Sequence, residues 1–424
     1  MSGDGESCDA EAARAGQAAG AAEAVRAAEA LAFDPNRLDS AFYENPYPTY
    51  AALREFDPVH RCPDGTYFLT RYADLDQIYR DRSHFSSDKK AVFGPKFGVG
   101  SALYEHHTTS LVFNDPPYHT RVRRHIVGAL TPHVLQAMEP QVVELVEALL
   151  EAIEKKGQFD LIEDFAAAIP VEVIGNLLKV PHEDRGPLRG WSLAILGALE
   201  PTVSETQRAA GDRAVREFTD YLRLLVDDRR RRPFENDLLS RLLEEKDLST
   251  TELLHNCVFL LNAGHETTTN LIGNGLSLLL SHPESLERLR AAPELISSTV
   301  EECLRYESPN QLGNRLVVER ICIRGVTFEP GTYLTLCIGA ANRDGDEFPQ
   351  PEVFDIGRKP NRHLAFAAGG HACAGMSVAR LEAQIAIPRF IRRFPGVQLT
   401  GRAVRGGRAR FRGFRSLPAQ VGVS

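Results

Sequence analysis

The stretch "FAAGGHACAG", Phe366 to Gly375, sets one cysteine, Cys373, two residues after His371 among glycines and alanines. A helical pattern, "MSVARLEAQIA", follows Gly375. The sulfur is therefore expected near a helix N-terminus, where partial positive charge and free N–H groups stabilise a thiolate. Gly369, Gly370 and Gly375 let the backbone pass close to a flat object or take positive φ. A zinc site would want three or four ligands at closing spacing. The nearby set is His363, His371 and Cys373, and no second cysteine joins it. A single thiolate on a haem iron fits these residue types better. It needs one sulfur, N–H groups aimed at that sulfur, and a flat wall.

Three other constellations could carry chemistry. "LLNAGHETTTN" puts Gly264, Glu266 and Thr267 to Thr269 inside a long apolar pattern. Glycine costs about 1 kcal/mol there relative to alanine, and threonine is a poor helix former. A threonine hydroxyl can also bond the carbonyl one turn back and bend the helix. A local distortion is expected, forming a groove in which an acid and an alcohol deliver protons. The plainer alternative is a loosely packed helix with an exposed Glu–Thr edge. "EECLRY" spaces Glu302 and Arg305 at i, i+3, where they can pair. Such pairs are commonly on the surface and contribute about 0–1 kcal/mol. "DPPYHTRVRR" spaces His119 and Arg123 at i, i+4. That face suits a carboxylate or phosphate, although the pattern alone favours an ordinary basic face.

The elements that must position these residues are mostly helical. Amphipathic patterns run through "HTRVRRHIVGAL", "QVVELVEALLEAIEKK", "RAVREFTDYLRLLVDDRRRR" and "NDLLSRLLEEK". The segment from Thr251 to Ser281 is apolar on several sides, as expected of a helix through the middle of a protein. "GTYFLTRY", "RLVVER" and "TYLTLCI" read as short strands. Residues 85–117 read as a long irregular stretch, a feature that is usually functional. Pro388 is expected to kink the last helix. The 424 residues are 43% hydrophobic and 25% charged, with formal net charge -8, which argues against a nucleic-acid binder. Arginines cluster at "RVRRH", "DDRRRRP" and "GRARFRGFR", and each reads first as a solvated face. Seven scattered cysteines with no C-x-x-C point to a reducing cytoplasm. No window approaches the ~18 apolar residues of a membrane span. Residues 1–32 read as an Ala-rich leader, disordered or loosely helical, and residues 33–424 as one domain.

Taken together, these motifs resemble a cytochrome P450 of the soluble bacterial type. The family's haem loop, F-G-x-G-x-H-x-C-x-G, aligns with Phe366, Ala367, Gly369, His371, Cys373 and Gly375, with Ala367 replacing the first glycine. Its A-G-x-E-T aligns with Ala263, Gly264, Glu266 and Thr267, and its E-x-x-R with Glu302 and Arg305. The segment before the cysteine matches the family's meander, and Arg358 fits the arginine that joins Glu302 and Arg305 in a buried network.

The resemblance implies a mainly α fold, a large helical domain with a small β-sheet portion around a buried haem b. It implies Cys373 as the axial thiolate, which pushes electron density onto iron and favours O–O cleavage. Thr267 and Glu266 would bind oxygen and deliver protons. His119, Arg123, Arg315 and His371 would hold the haem propionates, with Phe366, Gly375 and Ala263 also against the cofactor. Expected substrate contacts are Phe93, Phe97 and Tyr104 from the 85–117 stretch, Gly264, Gln311 and Leu312. Lys89, Lys90, His106 and His107 could recognise an acidic group, but read first as solvated loop residues. The implied activity is a haem-thiolate monooxygenase, inserting one atom of O2 into a small organic substrate. Its electrons would come from a separate ferredoxin-type donor with its reductase, and Arg121 and Arg124 could face that partner. The alternatives are a coupling, desaturating or peroxygenase enzyme on the same fold, or a non-catalytic haem protein. A cytoplasmic monomer with no membrane or nucleic-acid partner is expected.

Overall fold

Ser249 and Glu252 open the longest helix with a reciprocal cap. Glu252 N–H donates to Ser249 Oγ at 3.2 Å, and Ser249 N–H donates to the Glu252 carboxylate at 2.7 Å. In this computed structural model, which describes residues 20–232, 238–245 and 247–422, the helix runs Thr250–Ser281. Its 32 residues span about 48 Å. The backbone stays helical through Gly264 and the three threonines. The side chains do bond back: Thr267 Oγ1 donates to Ala263 O at 2.7 Å, and Thr269 Oγ1 to His265 O at 3.0 Å.

This helix is buried nearly all round because two core clusters share it. Its C-terminal half packs with Pro132–Lys156, Ile296–Tyr306 and Met376–Arg393. Its N-terminal half packs with Gly186–Gly197 and Glu205–Arg231. The last helix continues through Pro388. Strands are few and short. The largest sheet has five, in the order Val59–Arg61, Tyr67–Leu69, Tyr333–Cys337, Leu312–Val317 and Phe85–Ser86. One pairing in it is parallel, Tyr67–Leu69 with Tyr333–Cys337. The antiparallel register sets Arg315 opposite Leu334 and so fixes where that arginine leaves the sheet. Among the described residues no helix is long and apolar enough to cross a membrane.

One expectation needs correction. Residues 85–117 are not irregular: they fold into helices Lys90–Phe97 and Ala102–Thr109 and a short turn of helix at Leu111–Phe113. Ser101 caps the second by accepting from Tyr104 N–H. In the leader, residues 1–19 lie outside the described residues, and 20–31 form a helix that buries Ala30 against the Phe33–Phe42 cluster.

The approach to the cysteine loop is held by one buried carboxylate. Glu302 is 0% exposed, and Arg305, on the same helix face, is 1% exposed. Arg305 Nε and Nη2 donate to the two Glu302 oxygens at 2.8 and 2.7 Å. Arg358 Nε, Asn361 Nδ2 and the Asp355 N–H donate to the same carboxylate at 3.3, 3.0 and 2.9 Å. The rest of the Arg305 guanidinium donates to the carbonyls of Asn342, Pro351 and Val353. The pair is thus interior and not at the surface. Glu302→Ala leaves two guanidinium groups without their shared counter-charge, which costs roughly 3–5 kcal/mol. Little haem-loaded protein and a lower Tm are expected on purification. Normal haem content with an unchanged Tm would refute the bracing role.

Candidate active site

The loop from Phe366 to Gly375 closes on itself through one hydrogen bond, Cys373 N–H to Phe366 O at 2.9 Å. Gly369 takes φ +66°, and a Cβ there would lie 2.3 Å from Tyr79 O, so only glycine allows this approach. Ala367 also sits in the left-handed region, at φ 55°. The helix Met376–Arg393 begins just beyond Gly375, whose N–H points to the Cys373 sulfur. Burial raises the thiol's pKa, while that N–H, Arg123 and Arg380 pull it down. The sulfur opens into a cavity of about 320 Å³.

Ala263, Gly264 and Thr267 line this cavity from the central helix, with Leu312, Arg315, Phe366, His371, Gly375 and Arg123. His119 stacks on His371, ring centroids 3.8 Å apart, and its Nε2 has no partner. Among the described residues neither Arg123 nor Arg315 pairs with a carboxylate; Arg315 donates only to Asn314 O. Burial, with the guanidinium groups nearby, holds both imidazoles neutral, His119 at about 4 and His371 at about 2.

Glu266 is adjacent in sequence to Thr267 but faces elsewhere. It is 6% exposed and accepts from Arg408 Nη1 at 2.5 and 2.7 Å. Burial pushes its carboxyl up to about 7 despite Arg408, and Glu200 adds to the shift. Arg408 borders a separate open cleft with Glu200, Leu193 and Gly407.

A profile of the family described as "Cytochrome P450" matches residues 195–399. A biotin biosynthesis cytochrome P450 of Bacillus subtilis (strain 168) is 38% identical over 376 residues, 85% of this chain and 92% of that protein. The cytochrome P450 monooxygenase PikC of Streptomyces venezuelae is 36% identical, over 91% of this chain and 93% of that protein. The crystal structure of P450BioI in complex with hexadec-9Z-enoic acid ligated acyl carrier protein superposes with TM-score 0.86 at 36% identity. It covers 90% of this chain and 100% of that one.

The chain belongs to the cytochrome P450 family. It is an oxidoreductase of the monooxygenase type and uses haem b. The cavity of this P450 fits that cofactor. One thiol opens onto it, and a Cβ on Gly375 would meet nothing within 4 Å, so the small residues keep that face clear. Buried cations lacking any acidic partner stand ready for carboxylates. Cys373 could ligate the iron, and His119, Arg123, Arg315 and His371 could hold the propionates.

Several expected substrate contacts lie elsewhere. Phe93 and Phe97 are buried in the core with His107, and Tyr104 packs on that cluster. Phe113, not anticipated, reaches the cavity instead. Gln311 is 0% exposed and donates to Ser308 O at 2.8 Å, away from the cavity. Lys89, His106 and His107 are not solvated: each is 2% exposed and lines the cavity, whereas Lys90 is exposed. Arg121 is tied to Glu252 at 2.6 Å, while Arg124 keeps its side chain mostly exposed with Asp247 Oδ2 at 3.6 Å. Three of the four "GRARFRGFR" arginines turn inward, while Arg415 is exposed. Arg408 meets Glu266, Arg412 meets Glu307, and Arg410 reaches the cavity. In "DDRRRRP", Arg229 is buried while Arg230 and Arg231 are exposed. No local pattern marks Arg408 and Arg412, because their acidic partners Glu266 and Glu307 are remote in sequence.

The left-handed alanine makes a test. Ala367→Gly relieves the Cβ clash at φ 55° and gains roughly 0.5–1 kcal/mol after the entropy glycine loses. Thermal melting of the haem-loaded protein should shift upward, and a lower Tm would remove the strain.

Proposed function

We propose that this P450 oxidises a small, largely apolar organic substrate using O2 and electrons from a separate ferredoxin-type donor. The observation that carries this reading is that one thiol, Cys373, and one helix hydroxyl, Thr267, open into a single cavity beside two arginines without acidic partners, Arg123 and Arg315, and two neutral imidazoles, His119 and His371. Haem b, when bound, supplies the redox chemistry of oxygen activation. The protein's own residues do the rest: Cys373 ligates and donates charge, these four groups orient the cofactor, and Leu111, Phe113, Leu196 and Leu199 exclude water from the substrate side.

Proton supply follows from the two faces of the central helix. Glu266 holds a proton beside Arg408 at the edge of the open cleft. Thr267 presents its Oγ1 to the cavity while bonded to Ala263 O. A rotation of the Glu266 side chain past its own helix turn passes the proton from cleft to cavity. A carboxyl with a pKa of about 7 is protonated below that pH and loses its proton above it. Turnover limited by this step therefore falls as pH rises through about 7. Glu266→Gln is expected to lower kcat about 10²-fold and to erase that limb of the pH profile. An unchanged profile in the variant would exclude Glu266 from the path.

Cys373 is tested directly. The reduced, CO-bound wild type should show the red-shifted Soret band of thiolate ligation, and Cys373→His should lose it. A wild type without that band would overturn the haem-thiolate reading.

The donor is expected to dock near the helix Tyr118–Ala129. Arg124 there has a side chain 69% exposed. Arg124→Glu should slow reduction by an acidic ferredoxin and flatten its salt dependence. An unaltered rate in stopped flow would move the docking surface elsewhere. The related proteins are named for biotin biosynthesis and for a carrier-protein-bound fatty acyl chain. Those names fit an apolar substrate body.

A further inference from the structure

Lys89 is 2% exposed, lines the cavity, and its Nζ has no hydrogen-bond partner. Its nearest polarisable neighbour is the Tyr333 ring, with the centroid 4.9 Å away. A buried ammonium without a counter-charge is costly. The two closest acids are committed to other groups. Asp115 accepts from the Ser86 hydroxyl and the Ser87 N–H. Asp88 accepts from the Lys90 N–H and ammonium, each within 2.8 Å.

A second cation enters the same cavity from the opposite end of the chain. The backbone N–H groups of Ala409 and Arg410 donate to Glu200 at 2.8 and 3.0 Å, which sets this segment in place. The Arg410 guanidinium then donates only to neutral acceptors: Leu199 O, Leu312 O and Asn314 Oδ1. Among the described residues lining the cavity the one acid is Glu382, and burial raises its pKa well above the ordinary carboxylate range. Burial, followed by Arg315 and Arg410, depresses the Lys89 ammonium well below its ordinary range, so the two cations feel each other. Arg123 and Arg315, with the two histidines, answer the two propionates of haem b. Lys89 and Arg410 have no such partner.

We propose that Lys89 and Arg410 form an anion subsite, and that the substrate is a carboxylic acid whose apolar body lies along Leu111, Phe113 and Leu196. This rests on the haem-thiolate reading of the same cavity. The carboxylate supplies the counter-charge that the folded chain lacks and so favours the charged form of Lys89 that burial alone disfavours. An ester or carrier-bound acyl chain has no such charge and does not gain from it.

The test uses haem-loaded full-length protein, with octanoic, dodecanoic and phenylpropionic acids and their methyl esters, followed by the low-to-high-spin shift and by calorimetry. At least one acid is expected to bind about tenfold or more tightly than its ester. Lys89→Gln should weaken that acid about 10- to 100-fold and leave the ester unaffected. Arg410→Gln should act in the same direction. Lys89→Met, which removes the buried charge, should melt no lower than wild type without substrate. The proposal is overturned if no acid binds, or if acid and ester weaken equally. It is also overturned if Lys89→Gln sheds haem, which would make Lys89 a propionate ligand. A wild type lacking the thiolate–CO band would sink the haem-thiolate reading instead. The calorimetric acid-against-ester comparison would then still decide on Lys89 and Arg410.

Discussion

The structure depends on keeping one fully buried carboxylate satisfied. Glu302 accepts from two arginines, an asparagine and a backbone N–H, and those donors come from two stretches of chain, its own helix and residues 355–361. Arg305 spends its remaining N–H groups on carbonyls between Asn342 and Val353. Asn342 in turn accepts from the Leu364 N–H at 2.7 Å, two residues before the cysteine loop begins. The loop therefore inherits its position from a charge network on a neighbouring helix. A buried ion pair of this kind is a weak source of net stability, but losing one member is expensive. It acts as a locating device.

The central helix shows how one element serves two compartments. Successive helix residues point about 100° apart. Thr267 and Glu266 are consequently neighbours in sequence and face different spaces, the cavity and the Arg408 cleft. A proton donor that is loaded outside and discharged inside needs such a boundary. Gly264 thins the helix at this level: a Cβ there would lie 2.6 Å from Ile174 Cδ1 on the adjoining helix.

Charge is distributed unevenly around the cavity. Among the described residues Lys89, Arg123, Arg315 and Arg410 all line it, against one acid, Glu382, whose pKa burial raises. In water such an excess would be screened, but inside a protein it is not. The fold must hold these cations by backbone and neutral hydrogen bonds until anionic partners arrive. The 408–412 segment shows the means, since Glu200 and Glu307, each just beyond the end of a helix remote in sequence, anchor its backbone and side chains.

Residues whose roles depend on local order could be read from the sequence. The Phe366–Gly375 spacing, the Ala263–Thr267 run and the i, i+3 placement of Glu302 and Arg305 are all within one loop or a few helical turns. Helix period and motif spacing act at that range, and so they specify the family and its haem b. What covers each side chain was decided only by tertiary structure. The apolar helical faces of 90–97 and 102–109 were too short and too rich in charge and histidine to stand out from a loop. Lys89 and Lys90 are adjacent and chemically identical, yet one is buried without a partner and the other is exposed and paired. Phe93, expected on the cavity wall, lies in the core, and Phe113, for which no role was expected, lines the cavity for the same reason. Burial and electrostatic partnership are set by chain segments that meet over hundreds of residues, and no local pattern carries them.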